Sequence, residues 1–202
     1  MNKVSKFQYE IKAFKDNGGL FRTSQALKAG IHPRDLYAMQ SQGIVESISR
    51  GFYRLKSKKP LWRPDLTTVA LRVPQGVICL ISALAFHNIT TQIPHEEYIA
   101  LLKGSEKPRL NHPPTRFFWM SPTAFEEGIE THKIEGVALR IYSPEKTVAD
   151  CFKFRNKIGL DVAIEALKFC RERKRSSVDT LMKYAKIDRV EKVMKPYLEA
   201  IL

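Results

Sequence analysis

A chain of 202 residues that is 44% hydrophobic and 27% charged has enough apolar material for a real core in one or two domains. Its longest apolar run, Val77–Phe86, is too short to span a bilayer, and neither low-complexity tracts nor internal repeats interrupt the pattern. The formal net charge of +13, with pI ≈ 9.7, marks a surface that attracts polyanions, of which nucleic acid is the commonest. Residues 1–60 hold 12 Lys and Arg against 4 Asp and Glu, so the N-terminal third carries +8 of that excess. Cys79, Cys151 and Cys170 each lie in apolar surroundings, form no CxxC and follow no signal peptide; they read as buried reduced thiols of a cytoplasmic protein.

Val4, Phe7, Ile11 and Phe14 trace one face of a helix over 4–16, which Asn17-Gly18-Gly19 ends. Leu20-Phe21-Arg22 is a short extended stretch. Thr23 or Ser24 is the expected N-cap of a helix running to about Ala29, closed by Gly30. His32-Pro33 opens the next helix, which ends at Gly43. Ile44–Ile48 and Gly51–Leu55 alternate as two strands about the turn Ser49-Arg50-Gly51. A helix, a short strand, two helices joined by a tight glycine turn, then a hairpin is the order of a winged helix-turn-helix.

Lys56–Pro64, basic and bracketed by prolines, reads as a linker. Helices are expected over Asp65–Val73 and Gln75–Asn88, strands over Glu97–Leu102 and Arg116–Met120, and a Pro- and charge-rich loop over Ser105–Pro114. Alternation turns Phe118 away from Phe117 and Trp119, so this strand can bury one face and offer the other to a partner. Glu130–Ile134 and Val137–Tyr142 flank Glu135-Gly136 as a second hairpin. Ser143 caps a helix with Pro144 at its first position, and helices follow over Leu160–Arg173, Ser177–Tyr184 and Arg189–Ile201. The fold class is therefore α+β: a winged helix-turn-helix at 1–58, then a mixed α+β domain at 59–202 with several terminal helices.

On a helix from Pro33, Leu36, Met39 and Gln40 are expected to face the core, and Arg34, Tyr37, Ala38 and Ser41 to face outward. Arg34 lies early in that helix, where recognition helices meet base edges, and an arginine reads guanine bidentately. Tyr37 can reach a phosphate or a thymine methyl. Arg50 at the hairpin tip, with Tyr53 and Arg54 on its return strand, suits backbone or minor-groove contacts. Phe52 and Leu55 suit the core instead. Thr23 and Ser24 can donate to phosphate at a helix start, or simply cap it, and Lys56, Lys58 and Lys59 extend the basic surface.

In the second domain Lys146 and Asp150 stand at i, i+4, a spacing that serves polar chemistry or a plain ion pair. Lys153, Arg155 and Lys157 follow as a second phosphate-binding face or a solvated one. The run Arg171–Arg175 is a solvated helix end or a further nucleic-acid contact. His32, His87, His95, His112 and His132 are scattered without HxxxH, and neither a phosphate loop nor a nucleophile elbow occurs. No metal, cofactor or catalytic group is expected, and His87 reads as a satisfied structural histidine. A nucleic-acid-processing enzyme targeted by its winged helix, and a protein-interaction module, remain alternatives.

Three stretches together resemble the AbiEi family, the antitoxins of type IV toxin–antitoxin systems. They are GIVESISRGFYRL at 43–55, VICLISALAFHNIT at 77–90 followed by Thr91-Gln92-Ile93-Pro94, and IYSPEKTVADCFKFRNKIGLDVAIEAL at 141–167. The resemblance implies a winged helix that binds double-stranded DNA at its own promoter and represses it. It also implies a C-terminal domain that opposes a nucleotidyltransferase toxin without a stable complex, with Lys146, Asp150, Lys153, Arg155 and Lys157 as its candidate residues. Some relatives are regulators only, without a toxin partner. No membrane partner is implied.

Overall fold

The computed structural model describes residues 5–56, 62–134, 136–172 and 177–201. These form two compact units: the described residues within 1–71 and 133–138, and those within 72–132 and 139–202.

In the first unit a 3-10 turn at Ser5–Phe7 leads into α1 (Gln8–Asp16), which buries Phe14. Then come β1 (Leu20–Arg22), α2 (Thr23–Lys28), α3 (Pro33–Ser41), β2 (Val45–Ser49) and β3 (Phe52–Leu55). The three strands form an antiparallel sheet in the order β1-β3-β2, so the short stretch expected at 20–22 is a third strand on the hairpin. Apolar residues cluster between helices and sheet: Phe7, Phe14, Phe21, Ala26, Ile31, Leu36, Met39, Val45 and Tyr53. Phe14 and Phe21 meet edge to face with centroids 4.9 Å apart, which fixes α1 against β1.

The cap of α2 differs from expectation. Arg22 holds the extended cap position and its N–H donates to the Gln25 side chain at 3.0 Å, so Thr23 and Ser24 are the first helical residues. Thr23 is used otherwise: its N–H and its hydroxyl both donate to the Gly51 carbonyl, at 2.9 and 3.2 Å. Gly51 has φ +80°, a left-handed conformation that glycine adopts at low cost. α4 (Pro64–Arg72) lies where a helix was expected.

In the second unit Val77–His87 is not one helix. β4 (Val77–Ile78) precedes α5 (Leu80–His87), with Cys79 extended and Leu80 at φ +45° between them. The β-branched pair Val77-Ile78 favours strand, and at Gly76 a Cβ would fall 2.6 Å from Ile99. β5 (Glu97–Leu102), β6 (Thr115–Met120), β7 (Ile129–Ile134) and β8 (Val137–Tyr142) complete a sheet in the order β6-β5-β4-β8-β7. β4 pairs antiparallel with β5 and parallel with β8, and β5 pairs parallel with β6. A short helix, α6 (Pro122–Glu126), was not foreseen between β6 and β7.

α7 (Pro144–Lys153), α8 (Arg155–Ile158), α9 (Leu160–Glu172), α10 (Val178–Ile187) and α11 (Glu191–Glu199) follow. Tyr98, Phe118, Met120, Leu84, Phe152, Leu167, Leu181 and Met194 belong to the core they share with the sheet. Cys79, Cys151 and Cys170 are buried free thiols. Among the described residues no helix is long and apolar enough to cross a membrane.

Candidate nucleic-acid interface

α3 is built to present one face. His32 caps it, its Nδ1 accepting from the Arg34 N–H at 3.2 Å, and Pro33 supplies the fixed φ of the first turn. At about 100° per residue, Arg34, Tyr37, Ala38 and Ser41 share one side of the helix and Leu36 and Met39 the other. Leu36 and Met39 are buried, while Arg34 and Ser41 are exposed and Tyr37 is 59% exposed. Ala38 is half-buried and packs against the core, and the Ser41 hydroxyl donates back to its carbonyl at 2.9 Å. Gln40, expected inward, is exposed.

The hairpin separates its residues sharply. Arg50 stands exposed at the tip. Tyr53, expected on the outer surface, is buried within the cluster around Phe14 and Leu36. Arg54 donates through Nε to Glu46 on the facing strand and its side chain is mostly covered. The physical reason lies in the third strand. Because β1 covers the second edge of β3, residues 52–55 run through the middle of the sheet and not along its rim. Phe52 is buried and Leu55 half-buried against the core. Ser24 and Lys56 are exposed, whereas Lys58 and Lys59 lie outside the described residues.

The candidates of the second unit divide: Lys157 is exposed, and Lys153 and Arg155 are half-buried. Lys146 and Asp150 have no exposure at all. Lys146 Nζ donates to Asp150, one turn on, and at 3.1 Å to Asp188, which also accepts from Lys153 at 2.9 Å. Burial drives the Lys146 pKa down, but the two carboxylates outweigh it and hold the ammonium above its ordinary value. Arg155 donates to the Phe152 carbonyl, and Lys157 lies over the Phe118 and Phe154 rings. The five are therefore bound to their own helices and neighbours, and Lys146 and Asp150 cannot meet a ligand in this arrangement. Asp188 completes the network. It lies 38 residues beyond Asp150 in sequence, and no local spacing announced it. His87 Nε2 meets the Tyr142 carbonyl at 2.8 Å. Among the described residues no group of His, Cys, Asp or Glu could hold a metal ion.

A three-stranded sheet in the order β1-β3-β2, with α2 and α3 joined by a tight turn and a β2–β3 wing, defines a winged helix-turn-helix. Residues 8–56 match the model of a family described as AbiEi antitoxin transcriptional regulators, so this stretch of the chain is similar to them. The match spans the elements from α1 to the end of β3. No curated protein matches the chain.

Proposed function

We propose that this chain is a cytoplasmic transcriptional autorepressor and the antitoxin of a type IV pair. In this reading residues 1–58 bind duplex DNA at the chain's own promoter, and residues 59–202 oppose a nucleotidyltransferase toxin without a stable complex and without a catalytic step. Arg34 and Tyr37 on α3 read the major groove, Ser41 meets the backbone, and Arg50 on the wing lies on phosphate or in the minor groove. Ser24 and Lys56 add backbone contacts. The observation that carries this is the face of α3: its exposed side bears an arginine, a tyrosine and a serine, opposite the buried Leu36 and Met39. The toxin relation rests on the family resemblance.

The test is a gel-shift titration with promoter and scrambled duplexes. Arg34→Ala is expected to cost about 1–3 kcal/mol and to relax base preference, and Arg50→Ala to weaken both duplexes alike with a shallower salt dependence. Equal affinity for both duplexes, unchanged by either substitution, overturns the recognition-helix assignment. Growth rescue on co-expression with a neighbouring nucleotidyltransferase reading frame tests the antitoxin role.

A further inference from the structure

β6 carries three aromatic residues in succession, and the pleat sends them to opposite faces. Phe118 is 3% exposed and stacks on Tyr98 in the core, with centroids 5.8 Å apart. Phe117 and Trp119 point the other way, centroids 6.4 Å apart, Phe117 half-buried and Trp119 42% exposed. β6 is also the edge strand of its sheet.

The connection that returns the chain from β5 to the parallel β6, residues 103–114, passes beside this pair. Trp119 Nε1 donates to the Ser105 carbonyl at 2.9 Å, so the indole's one polar atom is satisfied. What the indole still offers to solvent is apolar ring surface. The same connection carries Lys103, Lys107 and Arg109 against Glu106, all four exposed. Those three basic residues form no ion pair among the described residues.

An ordered aromatic surface flanked by unneutralised cations matches a chain of bases and phosphates, the bases stacking on the rings and the cations tracking the backbone. A paired duplex offers no free base face, so the ligand is single-stranded. Aromatic side chains on a sheet that stack unpaired bases are a general way of holding RNA, whose loops and ends stay unpaired. We propose that Phe117 and Trp119, with Lys103, Lys107 and Arg109, form a binding platform for single-stranded RNA. The platform is independent of the winged-helix reading.

Trp62 and Trp119 are the only tryptophans, so Trp62→Phe leaves Trp119 as the sole indole reporter. Titration of that full-length variant with an oligouridine of about twelve nucleotides at low salt is expected to quench its fluorescence. By anisotropy of labelled RNA, Trp119→Ala is expected to bind about tenfold more weakly, Trp119→Phe to keep most of the affinity, and Lys107→Glu with Arg109→Glu to flatten the salt dependence. Binding of duplex DNA by the same proteins stays unchanged. Absence of quenching, equal RNA affinity in Trp119→Ala and Trp119→Phe, tighter binding of oligothymidine than of oligouridine, or loss of RNA binding on Arg34→Ala each overturns the proposal.

Discussion

α3 and α7 begin alike and serve opposite ends. Each has a capping side chain that accepts from a first-turn N–H, His32 from Arg34 and Ser143 from Lys146, each has proline at its first position, and each places a basic residue in that turn. Arg34 is exposed, while Lys146 is wholly enclosed. The difference lies in the rest of the helix. α3 has two buried positions on one side, Leu36 and Met39, whereas Lys146 to Phe152 is buried all round. A cap and a proline say where a helix starts; the apolar residues that follow say whether its first cation meets water.

The sharpest way to break this comparison is to remove both cations. Lys146→Ala leaves Asp150 and Asp188 buried without the ammonium between them and is expected to cost about 3–5 kcal/mol in urea unfolding. Arg34→Ala, on the exposed face, is expected to stay within about 0.5 kcal/mol of the parent. Equal losses from the two would mean that the helices do not differ as described. A smaller effect sharpens the picture within the first unit. Thr23→Val removes the hydroxyl bond to Gly51 and is expected to cost about 1 kcal/mol, with Thr23→Ser restoring it.

The smallest effect concerns pH. Burial lowers the pKa of His87 below its ordinary value, against the raising effect of its bond to the Tyr142 carbonyl, so the folded chain keeps the ring neutral where the unfolded chain takes a proton. A depressed histidine contributes stability that is complete above the ordinary value, about 6.5, and is lost as pH falls through the folded value. Melting temperature is expected to fall on acidification below about pH 6.5, less steeply in His87→Gln, which cannot titrate.

The winged helix was legible because its signals are local. Gly18-Gly19, Gly30, Pro33 and Gly43 punctuate it, and the alternation through residues 44–55 shows the hairpin. What local pattern could not supply was the third strand, and with it the burial of Tyr53. The same limit applied further on. Gln75–Asn88 carries a continuous apolar run, and length alone favoured one helix; its first part is a strand because Val77 and Ile78 pair with β5 and β8, partners distant in sequence. The i, i+4 spacing of Lys146 and Asp150 gave their ion pair but not its enclosure, which depends on Asp188 from beyond α10. The alternation of Phe117, Phe118 and Trp119 was plain from the letters, whereas the basic connection beside them required the parallel pairing of β5 and β6.

A second parallel pair joins β4 to β8, where Ile78 faces Ile141 across more than sixty residues of intervening chain. The cluster from Phe7 to Tyr53, by contrast, closes entirely within the first 53 residues of the sequence. Contacts so distant in sequence are slow to form, and domains complete themselves in order of synthesis. On the ribosome, then, the winged helix has all of its own core in hand while the central strand of the second sheet still waits for its neighbour to be translated.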